Sequence, residues 1–234
     1  MSSIVIVTAH YKEDLRWLCR SPYPVYLCDK VSADPIDPDV KAHFICEEPI
    51  PNLGCEASSY LHYIINHYND LPAYMAFIHG HEHAWHQQHP LGIFGAITTA
   101  KITEYQFVSL NVKTHPGDGR VYDLDSEHIN TPMRLLEQHW DTVFKPFIGT
   151  DLPRRFCHDS CAQFIVSRKA VLRHPIEAYK TWLAYVNTPS TPEVPNKEYA
   201  AVLEFVWHII FGEPPICNDR DLDYLLARFN VRLI

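Results

Sequence analysis

The chain has 234 residues, 47 % of them apolar, and a formal net charge of −8 with histidine neutral. That apolar share suits a packed core and is too high for disorder, and the basic residues are scattered without a block, which argues against nucleic-acid binding through a phosphate-neutralising patch. No apolar run approaches the roughly 18–20 residues of a spanning helix, and the N-terminal apolar patch is too short for a signal-peptide core, so no membrane span and a cytoplasmic location are the default expectations.

The first element, "SIVIVTAHY", is rich in Ile and Val and reads as a strand buried on both faces. "EDLRWL" predicts a helix with acids in its first turn. "YPVYLCDK" predicts a second strand ending near Asp29, and "AHFICEE" a short third. The next segment carries Ala57, Tyr60, Leu61, Ile64, Ile65 and Tyr68 at helical spacing until Pro72 ends the pattern. "AYMAFIHG" is a fourth, buried strand. This alternation predicts a doubly wound α/β sheet.

The second half is more mixed. "YQFVSLNVK" and "CAQFIVSR" read as strands, and "TPMRLLEQHWDTVF" as an amphipathic helix. "KAVLRHPIEAYKTWLAYV" is a helix broken at its proline, and "TPSTPEVPN" an exposed loop. "KEYAAVLEFVWHIIFG" is a strongly apolar helix capped by Gly212. With no linker in view, residues 1–234 are expected to form one domain. The seven cysteines are odd in number and irregularly spaced, which predicts reduced thiols; Cys157 and Cys161 lack the second pair of a zinc ribbon.

In open α/β sheets ligands bind outside the carboxyl ends of the strands. That rule gathers Ala9, His10 and Tyr11, then Asp29, the loop from Asn52 through Gly54 to Glu56, and His79 to His83. Neither the P-loop signature nor G-x-G-x-x-G is present. Asp29 suits a ribose or a base, or caps the next turn; Glu56 suits a ligand, or is a first-turn helix charge. "FIHGHEHAWHQQH" holds five histidines, which suit either a divalent metal such as Mn2+ or Zn2+ or a polar loop that hydrogen-bonds substrate and backbone. A literal D-x-D stands at Asp123 and Asp125, a spacing that suits Mn2+ or Mg2+ against a diphosphate, though it follows a turn rather than a buried strand.

Glu204 lies in an almost wholly apolar helix. Burial there would raise its pKa and make it a general base near neutral pH; otherwise it marks a solvent-facing stripe. Asp159, in "CHDSCAQF", is a second candidate base or a turn-forming acid.

The segment "NLGCEASSYLHYIINHYNDLPAYMAFIHGH" carries N-x-G-x-E-A, Y-L-x-Y-I, Y-x-x-L and F-x-x-G-H. In this it resembles an uncharacterised family of fungal, plant and large-virus proteins regarded as glycosyltransferase-like. The resemblance extends through "AQFIVSRKAVLRHPIEAYKTWL" and "LEFVWHIIFG". It implies a GT-A-like, Rossmann-related mixed sheet flanked by helices. "SCAQFIVSR" followed by "LEFVWHII" is also similar to core-2 branching N-acetylglucosaminyltransferases and their xylosyltransferase relatives, where a glutamate before an aromatic-rich helical run is the general base. That likeness assigns the role to Glu204. Those relatives use basic side chains against the diphosphate, and Lys197, Arg220 and Arg228 are the candidates here. Where GT-A enzymes place their D-x-D, this chain has "HGH", so His79 and His81 either replace the aspartates as metal ligands or contact the donor without metal.

The expectation is an inverting glycosyltransferase. Its donor is a nucleotide-diphosphate sugar such as a UDP-sugar, its acceptor a glycan or other hydroxyl, and its metal, if used, Mn2+. Ala9, Tyr11, Asp29, Asn52, Gly54 and Glu56 would bind the nucleotide. The rivals are a metal-dependent hydrolase built on His79 to His89 and a non-catalytic carbohydrate- or protein-binding module.

Overall fold

The computed structural model describes residues 4–84, 86–111, 121–157, 161–216 and 221–230. Eight strands are formed there: β1 (Ile4–His10), β2 (Val25–Asp29), β3 (Phe44–Cys46), β4 (Tyr74–Ile78), β5 (Phe107–Ser109), β6 (Val121–Asp123), β7 (Arg155–Cys157) and β8 (Phe164–Ser167). The helices are α1 (Pro38–Lys41), α2 (Cys55–Asn66), α3 (Gly92–Thr99), α4 (Thr131–His139), α5 (Lys145–Ile148), α6 (Arg168–Val171), α7 (Ile176–Val186), α8 (Asn196–Ile210) and α9 (Asp221–Arg228).

Six strands make one mixed sheet in the order β3-β2-β1-β4-β8-β5, and β6 pairs with β7 in a separate ribbon. β1 to β4 run parallel, while β8 lies antiparallel to both β4 and β5. The fold is thus α/β, a mixed six-stranded sheet flanked by helices. The chain steps outward from β1 to β2 and β3, then returns to place β4 on the other flank of β1. The carboxyl ends of β1 and β4 therefore frame a switch point of the kind where α/β sheets bind ligands.

Strand alternation sorts the core. Val7, Tyr26, Met75, Phe77, Phe164 and Val166 face α2, α4, α7 and α8. Ile6, Leu27, Ala76, Ile78 and Ile165 face Trp17, Leu18, α3 and Phe229. Phe77, Trp182 and Trp207 are almost wholly buried, each contributing about 2–3 kcal/mol of apolar transfer.

Several elements differ from the sequence expectation: β6, β7 and α9 were not anticipated, and two others differ for a local reason. "EDLRWL" forms a five-residue 3-10 turn, Arg16–Arg20, instead of an α-helix. Glu13 turns back to accept from the Tyr11 and Lys12 N–H groups, and Pro22 and Pro24 block any extension. Helix α3 was not expected from "GIFGAITT", which is poor in helix formers; burial of Ile93, Ala96 and Ile97 on the sheet overrides propensity. No helix among the described residues is long and apolar enough to cross a membrane.

Candidate active site

The carboxyl edge of the sheet is built from backbone closeness first. Gly80 follows β4, and a Cβ there would stand 2.7 Å from the carbonyl oxygen of Ala9. Only glycine lets the "HGH" turn lie against the end of β1, and Trp17 Nε1 pins it by donating to the Gly80 carbonyl at 2.8 Å. The loop before α2 is fixed in the same way. Gly54 is left-handed, with φ +65°, and its N–H donates to Asn196 Oδ1 at 2.7 Å. Asn196 in turn donates to the carbonyls of Val186 and Thr188. One asparagine thus ties the start of α2 to α7 and α8.

Side chains then converge. His10 Nδ1 and Asp29 Oδ1 are 2.9 Å apart at the ends of β1 and β2. Beside them a cleft of about 370 Å3 opens between Lys12 to Arg16 and Asp34 to Val40. Glu56, in the first turn of α2, meets His79 Nδ1 at 3.0 Å. His79 is stacked on His81, with centroids 4.8 Å apart, and lies beside His86, which meets Asn111 at 2.9 Å. The His79 N–H donates to Gln163 Oε1 at 3.2 Å, while its Nε2 is buried and has no hydrogen-bond partner among the described residues.

Glu204 faces this pair from α8. Burial first, and then the charge of Glu56, push its carboxyl up to about 7, with His79 opposing. Burial also acts to raise Glu56, but the hydrogen bond and charge of His79 outweigh it and hold that carboxyl at about 2. Two carboxyls in one site are driven apart, one ionised and the other titrating near neutrality. That division suits general acid–base chemistry.

Of the residues singled out in the sequence, Glu56, His79, His81 and Glu204 lie within contact or electrostatic reach of one another, Asp29 pairs with His10, Ala9 packs against Gly80, Tyr11 follows β1, Gly54 caps α2, and Asn52 is exposed. Asp159, Arg220 and the Cys157 side chain lie outside the described residues. Lys197 is exposed at the start of α8, within electrostatic reach of Cys55. Arg228 pairs with Glu213 at 3.2 Å and covers the Tyr105 ring, among the residues packed on the α3 face of the sheet. Asp123 and Asp125 are engaged by Arg155 at 3.4 Å and Arg154 at 2.7 Å in the β6–β7 ribbon.

Sequence reading passed over Lys30, Asn111, Gln163 and Asn196. Gln163 carried a signal, being the one amide beside the apolar run that forms β8. Lys30 carried none, since a lysine just past a strand usually reaches solvent.

Divalent metal chemistry does not fit the described donors. Among them no group of three or more His, Cys, Asp and Glu side chains is arranged to hold an ion. Glu56 already occupies His79 Nδ1. The His79 and His81 rings are nearly parallel, at 17°, which keeps their in-plane lone pairs in separate planes instead of aiming them at one point.

No curated protein and no solved structure matches the chain. Residues 5–224 do match a family, so the chain belongs to the family described as "Protein of unknown function (DUF3431)".

Proposed function

We propose that this chain is an inverting glycosyltransferase that moves a sugar from a nucleotide-diphosphate donor to an acceptor hydroxyl. The observation that carries the reading is Glu204, a half-buried carboxyl at about 7 that faces the Glu56–His79 pair at the edge of the switch point. Its place before "FVWHII" agrees with the general-base glutamate of the core-2 type transferases that the segment resembles. The GT-A-like reading of the mixed sheet belongs to the same proposal.

In this mechanism the cleft lined by His10 takes the nucleoside, with Tyr11 next to His10 in the chain, Asp29 held by His10, and the Asn52–Glu56 loop beyond. His79 and His81 lie against the diphosphate or sugar. Glu204, as carboxylate, accepts the proton of the acceptor hydroxyl. That oxygen attacks the anomeric carbon in line, and the bond to the diphosphate breaks with its electron pair leaving on phosphate oxygen. Asp159 is the alternative base. The hydrolase alternative would need a three-ligand metal group, and the described residues offer none.

Thermal-shift measurement against UDP- and GDP-sugars, with and without Mn2+, tests the proposal. Stabilisation by one donor, together with loss of transfer in Glu204→Gln at unchanged donor binding, is the expected result. No stabilisation by any nucleotide sugar overturns it.

A further inference from the structure

Lys30 follows β2 and is only 4 % exposed. Its Nζ donates to the carbonyl of Leu53 at 3.0 Å, and no carboxylate among the described residues lies within ion-pair distance. An ammonium offers three donors, and among the described residues this one gives a hydrogen bond to a single neutral carbonyl. Its location adds a second difficulty. Leu53 immediately precedes Gly54, the N-cap of α2, which has no side chain of its own to cap that helix. A buried cation therefore stands against the positive end of a 12-residue helix, where an anion is favoured and a cation is not.

The first-turn acid that could balance it is Glu56, but its carboxylate is engaged with His79 at 3.0 Å. His79 itself is 9 % exposed and presents an unpartnered Nε2 among the described residues. Burial pulls the Lys30 ammonium down to about 8, with Cys28, Cys55 and Glu56 only partly opposing. Asn52 and Cys55 are exposed, so the bend is open to solvent.

We infer that Lys30 and the first turn of α2 form a binding site for a phosphate-class oxyanion, approached over the Asn52–Cys55 bend. This goes beyond the transfer reading, because the site requires no sugar. The oxyanion is either free phosphate or pyrophosphate, or the diphosphate of a nucleotide.

The test is a thermal-shift and calorimetric titration of the full chain at pH 7 with inorganic phosphate, pyrophosphate and UDP, against chloride at matched ionic strength. Pyrophosphate or phosphate is expected to raise Tm where chloride does not, and Lys30→Met to weaken that binding by at least about tenfold. No shift beyond chloride, or an equal shift in Lys30→Met, overturns the site. Should the variant not fold, amide NMR shifts of the unaltered chain decide. The largest pyrophosphate-induced changes belong at Leu53, Cys55 and Glu56, and changes centred elsewhere reject the site. Pyrophosphate binding through Lys30 without stabilisation by any nucleotide sugar upholds the site and sinks the transferase reading. Stabilisation by a nucleotide sugar that survives Lys30→Met does the reverse.

Discussion

The Glu56 carboxylate meets His79 Nδ1 at 3.0 Å, joining the first turn of α2 to the residue that follows β4. The contact orients the imidazole so that Nε2 is its unengaged edge, and it keeps Glu56 ionised. The ionised Glu56 in turn helps raise Glu204. The charge held in this pair thus adds to burial in raising a third group on another helix.

Glu204 should make stability depend on pH. Its carboxyl sits at about 7 when folded, against an ordinary value of 4.5. Between those values the folded chain holds a proton that the unfolded chain releases, so stability falls as pH rises through the window. Allowing for its partial exposure, the penalty above neutrality is about 2 kcal/mol. Glu204→Gln is expected to be more stable by about that amount at pH 8 and nearly equal to the parent at pH 4. Urea denaturation at both values checks it, and identical curves for both proteins at pH 8 would refute it. Under the transferase reading the same change lowers kcat by roughly 10²–10⁴-fold.

The Glu56–His79 pair should be energetically coupled. The Glu56 side chain is 29 % exposed and that of His79 11 %, so the coupling lies between surface and buried values, at about 1–2 kcal/mol. A double-mutant cycle with Glu56→Gln and His79→Gln measures it. Because Glu56 is one cause of the raised Glu204 carboxyl, Glu56→Gln should also move the Glu204 titration downward. A Glu204 titration unchanged in Glu56→Gln would break that link.

Much of the frame was readable from local pattern. β1 announces itself as an Ile- and Val-rich run, β2 and β4 as short apolar runs, and α2 as a 3.6-residue stripe ended by Pro72, since each needs only neighbours in sequence. Gly212 does end α8, with φ +90°. The edge that gathers His10, Asp29, Glu56 and His79 followed from topology alone. Pairings across many residues did not: Asn196 holding Gly54, Glu56 choosing His79, and Lys30 folded inward all depend on how α2 and α8 pack. The antiparallel direction of β8 was equally hidden, because "FIVS" reads the same either way. α3 was missed because Ile93 and Ile97 form a helix only by burying themselves on the sheet.

Gly54 should tolerate no side chain. Its φ of +65° is left-handed, and an added Cβ would stand 2.8 Å from Ser58 Cβ and 2.9 Å from Asn187 Oδ1. Gly54→Ala is expected to lose about 2–4 kcal/mol, combining left-handed strain with overpacking. Asn196→Ala, which removes the bonds to Gly54, Val186 and Thr188, should lose about 2–3 kcal/mol. Denaturant midpoints of the two variants check both. A Gly54→Ala protein as stable as its parent would show that the loop before α2 can adopt another path.

Lys30 should be a destabilising residue when no ligand is present. Its ammonium sits at about 8 in the folded chain, against 10.5 ordinarily, because burial disfavours the charge. Below 8 both states are protonated and the folded chain carries the full penalty, about 3 kcal/mol. As pH rises toward 10.5 the unfolded chain keeps its proton and the folded chain does not, so stability increases across that window. Lys30→Met removes the penalty but leaves the Leu53 carbonyl without its donor, a loss of about 1 kcal/mol. The variant is therefore expected to be more stable than the parent by about 2 kcal/mol at pH 7, with the gap closing toward pH 10. Guanidinium denaturation at the two values measures it. A less stable variant at pH 7 would mean that the ammonium already has its counter-charge within the folded chain, and the need for an external anion at this bend would disappear.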